Sequence, residues 1–496
     1  MSIKPQFESY RYVGEICRLQ SQSLVECRLP GSEISGILAV QAKVVPAECA
    51  CSDGEAHYSG KVLLGIVYED GNKKICRAER GVEFFHKAEG SAVTPACLAK
   101  AALSAENVTW RREGSGLYLS VVVDAKITVY GGKQMEYLCG GDGLVVKNEK
   151  AEVYKTVCIS GETEAEDEFE TDYVGDILLH SENAVVNRVR ASDGQIEIEG
   201  ELVLNICVLK SDESVCSYER LIPFSMQVPC DEAYGKVQSG ARVEVKSAFL
   251  SAGTDEEQDK SKMVLSYCLS AECYLCTKEE LTLAADAFSL SSELLLSKTN
   301  DGGRYLTNHI KCTERVGGTA VLSPLMDGEY SLVAAVLPHA EIICRKGENG
   351  MEAEGVVLAD VLLVSSDGSH RAAKLSLPVL FPVACEGEYA EAECIVCGLN
   401  VRRKKNGETE AEATLKLGVR TYETRQWEYI SEATEGEALP ADTGAFSVFM
   451  TEAGEELWQV AKRLNCSPEV LQKGNPELEF PLKNKERIFV YRQIKG

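Results

Sequence analysis

One pattern occurs three times along this chain, and it limits the fold more than any other feature. SGKVLLGIVYEDG begins at Ser59, EGELVLNICVLKSD at Glu199 and EGVVLADVLLVSSDG at Glu354. Each copy sets a glycine (Gly60, Gly200, Gly355) before an apolar-rich run and closes it with a polar turn. The register extends both ways. Twenty-three positions before each glycine stand Ile37, Ile177 and Leu332, and 24 to 26 positions after it stand Phe84, Phe224 and Phe381. Three further runs, DAKITVY, SAECYLC and KLGVRTY, end at Tyr130, Cys276 and Tyr422, separated by 146 and again by 146. A period of roughly 140–150 residues is far too long for a solenoid repeat and reads as domains in tandem.

Inside a unit the apolar period is two. Leu119, Val121, Val123 and Ala125 alternate with Tyr118, Ser120, Val122 and Asp124. Such alternation suits strands with one or both faces covered. Turn signals separate the runs: EDGNK at Glu69, SDGQ at Ser192, GENG at Gly347 and KKNGE at Lys404. The expected fold is mostly β, with three tandem β-sandwich or barrel-like units over residues 1–147, 148–298 and 299–432. GGDG at Gly140 and NDGG at Asn300 mark candidate borders. The acidic run GETEAEDEFETD (Gly161–Asp172) reads as a solvated loop. SEATEGEALPADTGA (Ser431–Ala445) reads as a tether, with residues 433–445 as the linker before a terminal module at 446–493.

A net charge of −25 argues against nucleic acid, because phosphate binding needs basic stripes. No apolar run approaches the roughly 20 residues of a membrane helix, so no membrane insertion is expected. MSIKPQFESYRY lacks an apolar signal core, which favours a cytosolic location. The 20 cysteines are scattered, unlike a disulfide framework. CYLC (Cys273, Cys276) and CIVC (Cys394, Cys397) lie in strand-like alternation, where positions i and i+3 face opposite ways. They read as buried thiols, with no metal and no cofactor expected. Nucleophile, phosphate-loop and zinc-helix motifs are absent, and the six histidines are spread singly along the sequence. No catalytic residues and no enzymatic activity are expected.

The tail differs from all of this. In GEELWQVAKRLNCSPEVLQKGNP (Gly454–Pro476), Leu457, Trp458, Ala461 and Leu464 fall near helical spacing. Asn465 ends that helix, Ser467 and Pro468 open a second, and Gly474 and Asn475 stop it. Strands at Phe446–Thr451 and Leu482–Tyr491 flank the pair, giving a βααβ order.

This tail resembles a LysM domain. Phe449, Gly454, Leu457, Trp458, Val460 and Ala461 fall on the family's first motif, Leu471 and Asn475 on its second, and Leu482, Ile488 and Val490 on its third. The family's Asp-Thr is Glu455-Glu456 here, its late glycine is Lys485 and its closing proline is Tyr491. LysM domains typically bind N-acetylglucosamine polymers in a groove formed by the helix-flanking loops. The resemblance therefore implies a groove at Thr451, Gly454, Glu455, Glu456, Lys473, Asn475, Pro476 and Glu477. Trp458 is expected in the core beneath the first helix or as a partly exposed anchor. Lys462, Arg463 and Lys473 form a basic cluster able to steer an acidic partner.

Three β-units followed by such a tail resemble the SPOCS-plus-LysM spore coat assembly proteins of endospore-forming clostridia. That resemblance implies a non-enzymatic sporulation adaptor in the mother-cell cytoplasm, at the forespore surface and spore coat. Its implied partner is the coat-basement ATPase, bound through the LysM region. Peptidoglycan binding at cortex or wall is the alternative.

Overall fold

The computed structural model describes residues 3–30, 34–114, 116–171, 175–235, 237–255, 260–324, 330–348, 350–366, 368–404, 407–440 and 446–491. The first repeat folds as β1 (Lys4–Pro30), β2 (Ile34–Ser52), β3 (Glu55–Asp70), β4 (Ile75–Glu89), β5 (Leu98–Glu113) and β6 (Gly116–Asp142). These pair as two antiparallel sheets, β1-β6-β5 and β2-β3-β4. The second repeat supplies β7 (Leu144–Thr171), β8 (Gly175–Ser192), β9 (Gln195–Lys210), β10 (Val215–Pro229), β11 (Gln238–Asp255) and β12 (Lys260–Ser289). The third supplies β13 (Ser292–Ser323), β14 (Tyr330–Gly347), β15 (Gly350–Ser365), β16 (His370–Val383), β17 (Tyr389–Arg403) and β18 (Thr409–Ala438). Both repeat the first pairing: first strand, sixth, fifth in one sheet and second, third, fourth in the other. In the third unit, Val321–Ser323 also pair with Lys374–Ser376, which joins its sheets into one nearly closed, barrel-like sheet of six strands.

Each unit buries its own core between its two sheets. On β6 the inward residues are Leu117, Leu119, Val121, Val123, Ala125, Ile127 and Val129, each at most 1% exposed. The three repeat glycines lie where the neighbouring strand, β2, β8 or β14, comes too close for a side chain. A Cβ on Gly60 would lie 2.6 Å from the Val45 carbonyl oxygen, one on Gly200 2.5 Å from that of Val185, and one on Gly355 1.9 Å from that of Glu341. Gly60 faces Phe84 and Gly200 faces Phe224, so a ring covers each bare backbone. In the third unit Gly355 faces Val379, and Phe381 sits two residues further along, opposite Ala353.

The units are closed into a ring. Ile37, Ile177 and Leu332 each precede a β-bulge, which leaves Leu38, Leu178 and Val333 without a ladder partner. A bulge bends its strand and re-aims a side chain. Here it delivers Leu38, Leu178 and Val333, with Ala39, Leu179, Ala334, Val67, Cys207 and Leu362, into one apolar cluster drawn from all three units. β3 packs on β8, β9 on β14 and β15 on β2, so each interface repeats the last and the third unit returns to the first. At the other end β6, β12 and β18 run past their sandwiches as two-stranded ribbons with the starts of β1, β7 and β13. There Tyr137, Leu283 and Tyr429 share one cluster, and Leu138, Ala284 and Ile430 share another, again at spacings of 146.

Several expected borders move. The units meet at Gly143 and at Leu290–Ser291, not at 147 and 298. NDGG at Asn300 lies inside β13. Residues 433–438 of the expected linker are strand, with Ala433, Thr434, Glu435 and Ala438 paired to β13. Residues 441–445 lie outside the described residues. The acidic run is no loop. Gly161–Thr171 is the end of β7, paired with Ala271–Ser261 of β12. Its glutamates 162, 164, 166, 168 and 170 recur at every second residue and are exposed, while Phe169 points into the core.

The terminal module has β19 (Phe446–Met450), α1 (Leu457–Arg463), α2 (Pro468–Gly474) and β20 (Arg487–Tyr491), in the expected βααβ order. Glu456 caps α1 in a reciprocal capping box with Gln459, and Ser467 Oγ accepts the Val470 N–H to cap α2. Asn465, at φ 48°, turns the chain out of α1. No helix among the described residues is long and apolar enough to cross a membrane.

Candidate functional site

The helix-flanking loops of the module come together, but not every expected groove residue faces outward. Thr451 is 1% exposed, and its hydroxyl donates to the Glu486 carbonyl and accepts the Glu486 N–H. Asn475 is 5% exposed. Its amide nitrogen donates to the Leu471 and Phe489 carbonyls, each at 2.8 Å, and its oxygen accepts the Phe489 N–H. Both side chains are therefore structural clamps and cannot line a groove. Gly454, at φ 89°, donates its N–H to Leu482 and closes the loop against the segment before β20. Only glycine adopts that conformation without strain. Glu455 pairs with Arg463 at 2.5 Å, and Glu456 is occupied as the cap. Lys473, Pro476 and Glu477 remain on the exposed surface.

The basic cluster expected to steer a partner is largely satisfied within the chain. Lys462 binds both oxygens of Asp286 in the second unit, at 2.7 and 2.8 Å. Trp458 donates its indole N–H to the same carboxylate at 2.8 Å and packs edge-on against Phe288, with ring centroids 5.2 Å apart. Burial pushes the Asp286 carboxyl up, but hydrogen bonds from Lys462 and Trp458 more than offset this, and it titrates below the usual range. Trp458 is thus an anchor, and what it grips is this chain's own body.

The module also carries an apolar face that the motif reading missed. Phe446, Val448 and Met450 of β19 stand opposite Tyr491, Phe489 and Arg487 of β20. The five apolar residues are 38–60% exposed, and Phe446 stacks on Phe489 at 5.7 Å. The signal was present in the sequence as period-two apolar residues on both sides of each short strand, FSVFM and RIFVY.

The histidines are not the isolated groups their spacing suggested. Lys43 of the first unit binds the Glu182 carboxylate across the interface with the second, and His180, two residues before Glu182 on β8, binds its other oxygen. Burial opposes the charge on Glu182, yet these two partners hold its pKa at about 2. His370 meets Glu69 of the first unit at 2.9 Å. His309 accepts the Ala241 N–H across the interface of the last two units, and burial with the nearby Arg420 charge lowers it to about 3. His57 Nε2 lies 2.8 Å from Ser52 Oγ and 3.6 Å from Glu55. Both approach the same ring nitrogen, so His57 does not relay a proton between a nucleophile and an orienting carboxylate. The CxxC pairs divide between faces. Cys273 sits in the second unit's core and Cys276 in the ribbon cluster, while Cys394 lines the third unit's core and Cys397 packs against Val185 and Val203.

Comparison with protein-family models, with curated proteins and with solved structures finds no match to this chain.

Proposed function

We propose that this chain is a non-enzymatic adaptor of the SPOCS-plus-LysM type, which binds a protein through its terminal module and helps encase the spore coat around the forespore. The reading rests first on the resemblance of the tail to LysM and of the repeats to SPOCS units. The observation that carries the choice of a protein partner is the apolar face of β19 and β20. Five exposed apolar side chains on one small sheet, three of them aromatic, suit a desolvated protein contact. The loops that hold sugars in LysM domains are largely committed here to internal hydrogen bonds at Thr451, Asn475 and Glu456. The forespore's coat-basement ATPase is the partner that the resemblance implies.

A paired capture experiment tests this. Full-length chain is offered to the purified ATPase and, separately, to purified peptidoglycan. The expected outcome is retention by the ATPase alone, weakened about tenfold or more by Tyr491→Glu, as for an interface hot spot. Retention on peptidoglycan with none on the ATPase would hand the module to glycan.

A further inference from the structure

The ring repeats nearly everything three times, and the place where the terminal module rests is an exception. Each ribbon carries a bulge at the same position, Cys139, Ala285 and Ser431, spaced by 146. The residues after the bulge are not repeated. Where the second ribbon has Asp286 and Phe288, the first has Gly140 and Asp142 and the third has Glu432 and Thr434. The module follows the third unit in the chain, yet it packs on the second. Sequence divergence and docking therefore coincide at one ribbon.

The contact has a defined chemistry. Trp458 and Lys462 lie four residues apart on one face of α1 and converge on a single carboxylate. Asp286 accepts from the indole, from the ammonium and from its own neighbour's N–H at Ala287. Phe288 is 4% exposed and joins the module's own core of Val460, Ala461, Leu464 and Leu471, with Val145 of β7 beside it. Lys147 of β7, itself paired with Glu149 at 2.9 Å, and Glu456 at the start of α1 are also within electrostatic reach.

We infer that the end of the second ribbon is a dedicated seat for the terminal module: Asp286 and Phe288 latch the α1 face of Trp458 and Lys462 against the body. The latch hides that face from any partner and leaves the β19–β20 face outward. A ligand able to open it must present the same chemistry, a carboxylate beside an aromatic ring. The latch stands on these contacts alone; its consequence for partner capture rests on the function proposed above.

Hydrogen exchange on the full chain tests it. Phe288 closes the module's core over Val460 and Ala461 of α1, so unseating opens that side of the seven-residue helix to exchange. In Asp286→Ala, exchange over 457–463 should rise about tenfold while the β6 core at 117–129 is unchanged. Phe288→Ala should act in the same direction. Asp286→Lys and Lys462→Asp should each raise exchange, and the two together should restore protection. Unchanged exchange at 457–463 in both alanine variants overturns the latch, as does a charge-swapped pair no better protected than its parents. Capture on the coat-basement ATPase separates the two readings. Because the latch leaves the β19–β20 face outward, Asp286→Ala and the wild-type chain should be captured equally, and weaker capture by Asp286→Ala overturns that placement of the face. Absence of capture by both chains, with exchange raised, overturns the proposed function and leaves the latch standing.

Discussion

The three-unit body and the terminal module are held by different means. At the body's axis each unit contributes equivalent residues, such as Ala39, Leu179 and Ala334, and the contact is almost wholly apolar. At the module's seat one unit contributes two residues that its siblings lack, and the contact turns on one carboxylate. The axis grew by repetition, so its complementarity is the unit's own and is made three times. The seat exists once. Apolar area buried on an axis has no alternative partner in water, whereas the ion pair at a partly exposed seat competes with solvent and is the weaker tie. The body is accordingly built to persist and the module to exchange contacts.

The comparison breaks first if the axis is not what holds the ring. Leu179 is 4% exposed and abuts Gly65 of the neighbouring unit. Leu179→Ala should lower stability by about 3 kcal/mol, the usual range for a buried leucine losing its side chain to a cavity. Urea unfolding checks this, and an unmoved midpoint would mean that the units stand without their shared cluster.

Acid probes the interface in a second way, with an effect nearly as large. Glu182 titrates at about 2 in the folded chain against an ordinary 4.5. Its contribution is therefore complete above the ordinary value and is lost as pH falls toward 2. The difference corresponds to about 3 kcal/mol. Stability measured from pH 6 down to about pH 2 should show that loss, and Glu182→Gln should flatten the slope. A variant with the wild-type slope would assign the acid sensitivity elsewhere.

The smallest of the three effects belongs to the module. Asn475→Ala removes three hydrogen bonds at a site 5% exposed and strands the Phe489 backbone groups. A cost of about 2 kcal/mol is expected, confined to residues 446–491 when followed by hydrogen exchange. Loss of protection in the body's strands as well would show the two regions to be one cooperative unit.

Much of the fold was legible in the sequence because it is written in short-range periodicity. Alternating residues such as Leu117 to Val129 are buried at every second position, as their pattern required. The acidic end of β7 escaped because composition masked the same period. Its exposed glutamates made the segment look solvated, while Phe169 and Thr171 kept the inward face. The border at Leu290–Ser291 escaped because NDGG reads as a turn, yet Gly302 with its positive φ is absorbed inside β13. In the module, helix caps and core positions were readable from Ser467, Asn465 and Leu471. The roles of Thr451 and Asn475 were not, since the same polar residue type serves a groove or a clamp depending on what folds over it.

The sequence by itself determined the repeat, the strand pattern, the glycines at Gly60, Gly200 and Gly355, and the βααβ order of the tail. Each of these depends on neighbours a few residues away, or on comparison of the chain with itself. Only the tertiary structure decided that the three units close into a ring, that Leu38 and Leu178 meet on its axis, and that Trp458 and Lys462 grip Asp286. Those contacts join residues more than a hundred positions apart. A bulge that turns one leucine toward an axis, or a carboxylate that fits one helix face, leaves no periodic trace; its partner is selected by shape and charge after the chain has folded.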